Sequence, residues 1–146
     1  MRRREVLASA CGLVLAGCLG GDGEHLQERG TISIVIDDEP VDLSADRFQA
    51  EHAADHSIDF HFHEFDDYWY IEGTRRVTLG EGIDVLPHFA YEHQADAHIL
   101  VVDGTEYRSD DPSVQIDFSV NGEPVDPTTY QLHDGDAIRI EVHLDE

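Results

Sequence analysis

The sequence predicts an α+β domain: one mixed β-sheet, one helix packed on it, and an extra strand or hairpin at the N-terminal side. Three observations predict it. Apolar and polar residues alternate in several separate segments, the period of a half-buried strand. Asp37-Asp38, Asp103-Gly104 and Asn121-Gly122 each stand between two such segments, where tight hairpin turns belong. The clearest helical spacing of apolar residues lies in a single stretch, Val77 to Pro87.

Taken in order, Thr31 to Leu43 alternates Ile32, Ile34 and Ile36 with Ser33, Val35 and Asp37. It reads as a strand, a turn and a short return strand. Ser44 to Ser57 is Ala-rich, with Ser44 as an N-cap, and reads as a short helix or an irregular crossover. "SIDFHFHEFDDYWYIEG", Ser57 to Gly73, reads as a hairpin turning at Asp66-Asp67. That register sets Phe65 against Tyr68, His63 against Tyr70 and His61 against Glu72. It gathers Phe60, Phe62, Trp69 and Ile71 on one buried face and turns His61 and His63 away from the core. In Val77 to Pro87, Thr78 and Glu81 fit a capping box, Leu79, Ile83 and Leu86 form an apolar stripe, and Pro87 ends the helix. His88 to Asp96 reads as a loop. Ala97 to Ser109 and Val114 to Asp126 read as hairpins, and Tyr130 to Leu144 ends in a strand with Ile138, Ile140, Val142 and Leu144 on one side. "ISIVIDDEPVD" and "IDFSVNGEPVD" echo each other, either as an old duplication or as two similar hairpins.

The N-terminal residues are of another kind. An Arg-rich start, an apolar run from about Val6 to Leu15, too short to span a bilayer unaided, and small residues before Cys18 have the form of a secretory signal. "RREVL", containing Arg3 and Arg4, resembles the twin-arginine export motif, and "LAGC", ending at Cys18, resembles a lipobox. The resemblance implies cleavage before Cys18 and a lipid on its sulfur; the alternative is an uncleaved membrane-anchor helix, which would also tether the domain outside the cell. The expected organisation is therefore a signal peptide over 1–17, a lipidated flexible tether over 18–30 and a single domain over 31–146, anchored to the cell membrane on its extracellular face. Loss of Cys11 and lipidation of Cys18 leave no thiol for a Cys-based metal or redox site.

The formal net charge is −23 on 146 residues, and all nine basic residues are arginines. This composition resembles that of salt-loving archaea, whose acidic surfaces stay hydrated while high salt screens their self-repulsion. Nucleic acid is excluded as a partner, because phosphate contacts need basic patches.

The order hairpin, capped helix, strand, hairpin, last strand suggests a β-grasp-like sheet. "VNGEPVDPTTYQLHDGDAIRIEV", Val120 to Val142, resembles the last third of the small sulfur-carrier proteins of thiamin and molybdopterin synthesis, through Asn121-Gly122-Glu123 and Leu132, Asp134-Gly135-Asp136. Those carriers act through a terminal Gly-Gly, whereas this chain ends "HLDE". The resemblance implies the fold and not the activity.

Chemistry concentrates around the histidines. Residues i and i+2 of a strand share a face about 7 Å apart, so His61 and His63 can converge on one ion. Glu72 across the hairpin is the third ligand, and Asp59 is next on the same face. His52 and His56, four apart, join them if their segment is helical. Imidazoles with a carboxylate suit zinc or copper. The alternative is a metal-free module in which a Lys-free surface uses His as a polar aromatic and a cell-surface protein partner docks on Phe65, Tyr68 and Tyr70. His88, His93 and His98, spaced by five, fit no common face, while His133 and His143 read as exposed or polar-face residues. No Gly-x-Ser-x-Gly elbow, His-Glu-x-x-His or phosphate-cradling loop occurs. A binding module is expected rather than an enzyme, and an enzyme of another type is the third reading.

Overall fold

The computed structural model describes residues 25–64 and 66–145. Arg3, Arg4, Cys18 and Phe65 lie outside the described residues. The elements form a mixed α+β arrangement: a seven-stranded sheet, a three-stranded sheet and one α-helix among the described residues.

Strand β1 (Glu28–Ile36) begins three residues before the expected domain boundary. Its early start has a partner: Glu28 to Thr31 pair antiparallel with β4 (Tyr68–Ile71). The peptide N–H of Leu26 also donates to Gly73. Residues expected in the tether are thus drawn into the sheet. Asp37 and Asp38, both at positive φ, turn the chain into β2 (Glu39–Pro40).

The crossover is irregular. Two single turns of 3₁₀ helix, Asp46–Phe48 and Ala50–His52, replace a continuous helix. Ser44 caps neither turn, because its hydroxyl bonds Asp42. Phe48 inserts into the core from this segment.

The following hairpin, β3 (His61–Phe62) against β4, corrects the expected register. His61 faces Tyr70 and Phe62 faces Trp69. The connection is longer than a two-residue turn, and the pairing is displaced by two positions. A shift of two keeps every side chain on its own face. Phe60, Phe62, Trp69 and Ile71 therefore remain a single buried set, each 3% exposed or less.

Helix α1 (Leu79–Asp84) starts at a complete capping box: the N–H of Glu81 donates to the Thr78 hydroxyl oxygen, and the N–H of Thr78 donates to the Glu81 carboxylate. Leu79, Ile83 and Leu86 are buried. The expected loop over His88 to Asp96 is instead strand β5 (Phe89–Gln94), pairing with β6 (Ala97–Val102), which pairs with β7 (Thr105–Arg108). These three form the small sheet. Asp103 and Gly104, and later Asn121 and Gly122, take positive φ at hairpin turns as the sequence requires.

Strand β8 (Val114–Val120), β9 (Glu123–Pro124) and β10 (Ala137–Leu144) complete the large sheet in the order β3-β4-β1-β10-β8-β9, with β2 on β1. β1 and β10 are parallel, and the other pairs are antiparallel. The register stacks apolar residues in rows across three strands: Ile32, Ile138 and Val120; Ile34, Ile140 and Phe118; Ile36, Val142 and Ile116. These rows join Phe48, Leu79, Ile83, Phe89 and Leu100 in one core. The two echoing sequences are the β1–β2 and β8–β9 hairpins, one on each side of β10. No helix among the described residues is long and apolar enough to cross a membrane.

Candidate metal centre

Alternation along β3 and β4 places His61, Tyr70 and Glu72 on the face opposite the core, and His63 follows His61 by two. Three donor atoms meet there. His61 Nε2 lies 2.5 Å from Glu72 Oε1, His63 Nε2 lies 2.7 Å from the same oxygen, and the two Nε2 atoms are 3.1 Å apart. The three residues form a group that could hold a metal ion. A tetrahedral ion would need the donors to open to roughly 3.3 Å, given bonds of about 2.0–2.1 Å.

Each imidazole is oriented through its other nitrogen. His61 Nδ1 lies 2.9 Å from the Ser57 carbonyl oxygen, and His63 Nδ1 lies 2.6 Å from Glu51 Oε2. Both partners only accept, so both Nδ1 atoms carry protons. In the neutral tautomers this leaves a lone pair on each Nε2, aimed at a carboxylate oxygen that also bears lone pairs. Three acceptors in contact repel unless a proton or a cation lies among them. A backbone carbonyl or carboxylate behind each ligating imidazole is also the usual outer support of a metal site.

The electrostatics follow from these contacts. Burial works against charging His63, but the carboxylates of Glu72 and Glu51 outweigh it and raise the imidazole above its ordinary value. The hydrogen bond from His63 holds the Glu72 carboxyl below the usual carboxylate range, against partial desolvation. Burial would push Glu51 up, yet the bonds from His63 and from the Glu64 N–H bring it below its ordinary value.

Burial departs from the sequence expectation. His61 does face away from the core, but at 2% exposure it is not a surface residue. Tyr70 stacks on its ring at 6.2 Å, with His63 edge-on at 4.6 Å. His52 and His56 do not join as one helical face, because the 3₁₀ turn ends at His52. His52 Nε2 bonds Glu64 at 2.7 Å, and exposed His56 lies edge-on to His61 with ring centroids 6.0 Å apart. Asp59 is taken by Arg75. Tyr68 is 36% exposed, while Tyr70 is half-buried and donates its hydroxyl to Asp66.

The other histidines lie elsewhere. β5 and β6 set His93 directly against His98, a pairing hidden while that segment is read as a loop. His98 Nδ1 lies 2.7 Å from the Tyr91 hydroxyl oxygen. Burial, then the neighbouring His93, hold His98 below its ordinary value, and burial pushes Tyr91 up to about 12. His143 approaches Asp117 and Glu141 on the outer face of β10.

Sequence reasoning missed Glu51 and Ser57, which orient the imidazoles, and His25, whose Nδ1 lies 3.1 Å from the Glu72 carbonyl oxygen. Nothing local marks Glu51, which reaches His63 only because the crossover folds back. No family model, curated protein or solved structure matches the chain.

Proposed function

We propose that the domain is a metal-binding module in which Nε2 of His61, Nε2 of His63 and a carboxylate oxygen of Glu72 ligate one divalent transition ion. The convergence of three lone-pair donors, with both Nδ1 atoms already committed, carries this reading. Two imidazoles and a carboxylate suit Zn²⁺ or Cu²⁺. The parallel central pair β1 and β10, the hairpin on either side and the helix between support a β-grasp-like fold, with β5–β7 as an insertion. The N-terminal motifs support export through Arg3 and Arg4 and a lipid anchor on Cys18, holding the module at the outer face of the cell membrane in the manner of a haloarchaeal-type lipoprotein. The metal-free alternative, a docking surface for a protein partner, draws on the exposure of Tyr68; Tyr70 is committed to Asp66 and the His61 ring.

The test is thermal unfolding of metal-stripped protein with added Zn²⁺ or Cu²⁺, alongside assay of the metal retained after dialysis. At a hundredfold excess over the dissociation constant the ion adds about 2.7 kcal/mol. His63→Ala and Glu72→Ala should lose this gain. An unchanged metal response in both variants would overturn the site and favour the metal-free module.

A further inference from the structure

We infer that this metal centre is open on one side and takes a small oxyanion from solution, with Arg29 as the anion's charge partner. The inference rests on the metal reading above and extends it to a ligand class.

Coordination is the first argument. The site offers three protein donors, and zinc sites with three protein ligands keep a further position for an exogenous one. The acidic and imidazole groups nearby are mostly engaged otherwise. Both Glu51 oxygens are occupied, by His63 and by the Glu64 N–H. Asp59 pairs with Arg75, and His52 with Glu64.

The second argument is the space beside it. A cleft of about 450 Å³ is lined by Gln27, Glu28, Arg29, Tyr70, Glu72 and Asp134, so the ligand Glu72 forms part of its wall. Sheet register explains the neighbourhood. Tyr70 faces His61 on one side and Arg29 on the other. With neighbouring strands about 4.8 Å apart, the Arg29 and His61 backbones are roughly 10 Å apart, within reach of an arginine side chain and a small anion together.

Charge is the third. Six arginines lie among the described residues, and five have a carboxylate within 4.0 Å. Arg29 alone has none among the described residues. Its guanidinium lies 5.0 Å from the centroid of the Tyr68 ring, and the Tyr70 hydroxyl, with Asp66 farther off, holds it above its ordinary value. No carboxylate of the cleft makes an ion pair with its guanidinium. Glu28 gives both oxygens to Arg76, and Asp134 accepts the Arg29 backbone N–H. In a chain of formal charge −23, an arginine with no carboxylate within 4.0 Å, on the wall of the cleft that Glu72 also lines, suits a negative group from outside. The planar guanidinium fork matches both carboxylate and phosphate oxygens.

The experiment uses Co²⁺, whose visible absorption reports its coordination. Cobalt content is measured on every sample, and oxalate, acetate and phosphate are titrated separately at constant ionic strength. Wild-type protein should show a saturable spectral change with at least one of them, and the responding anion distinguishes carboxylate from phosphate. Arg29→Gln should weaken that response about tenfold or more, as expected for losing a charge-assisted pair. Arg29→Lys should fall between, keeping charge without the fork. Arg139→Gln, on a different strand, should leave the response unchanged. Cobalt bound with no anion response overturns this inference and leaves the metal site standing. Absence of cobalt binding overturns both. Equal weakening in Arg139→Gln reduces the effect to general charge, and an anion response appearing only in His56→Ala means that a protein ligand closes the site; either outcome overturns the inference.

Discussion

His63 shows how one side chain can stabilise two forms of the same site in opposite pH ranges. Without metal, a proton on Nε2 lets the ring donate to Glu72 while Nδ1 donates to Glu51. Its folded-state value is raised above the ordinary 6.5, so this stabilisation is fully present below about 6.5 and is lost as pH rises through the raised value. Glu72 and Glu51 are depressed below 4.5, so their contribution is present above about 4.5 and is lost as pH falls through the lowered values. The metal-free protein should therefore gain most from the cluster between about pH 4.5 and 6.5. Metal binding runs the other way, because the ion competes with that proton. Unfolding midpoints of metal-free wild type and His63→Gln, measured from pH 5 to 8, should converge as pH rises, while the Zn²⁺-induced shift in wild type should grow. A wild-type advantage that widened towards pH 8 without metal would contradict the assigned proton positions.

At the scale of elements, the site depends on how closely β1, β4 and the chain before β10 approach one another. Gly30 lies opposite Trp69, and a Cβ there would meet the Asp136 carbonyl oxygen at 2.1 Å and the indole ring at 2.8 Å. The same oxygen accepts the Trp69 Nε1–H and the Thr31 N–H. The Asp136 carboxylate is itself fixed by Asn121, Tyr130 and the His133 N–H. Backbone and indole therefore have little room to yield. Gly30→Ala should cost about 3 kcal/mol by chemical denaturation, the upper part of the usual overpacking range. Because Gly30 precedes Thr31 and follows Arg29, the strain should also disturb the cleft. A loss under about 0.5 kcal/mol would mean that the three segments separate easily.

For the whole molecule, charge dominates. With 32 acidic residues against nine basic ones, self-repulsion opposes compaction, and the exposed ion pairs return little. Molar salt shortens the screening length to about 3 Å. The unfolding midpoint should therefore rise between dilute buffer and 2 M KCl, in metal-free and metal-bound protein alike. A flat or falling midpoint would show that repulsion does not limit stability.

The sequence alone determined what depends on neighbours along the chain. Alternation fixed which residues of each strand share a face. The positive-φ turns lie where Asp37-Asp38, Asp103-Gly104 and Asn121-Gly122 require them, and Thr78 with Glu81 set the helix start. His61, His63 and Glu72 were legible as a set because strand parity survives a slip of two residues. The register itself was decided by tertiary structure, since β4 must pair at once with β3 and with Glu28 to Thr31 of β1. β5 escaped the sequence reading because Phe89 to Gln94 runs from buried to exposed instead of alternating, and its hydrogen-bond partner β6 makes it a strand. The depth of His61 and the contacts of Glu51, Ser57 and Arg29 likewise come from the folded crossover and the neighbouring strand. The contacts of Glu51 and Arg29 join residues distant in the chain, and even the Ser57 carbonyl, only four residues before His61, is a backbone atom that no pattern of residue types marks.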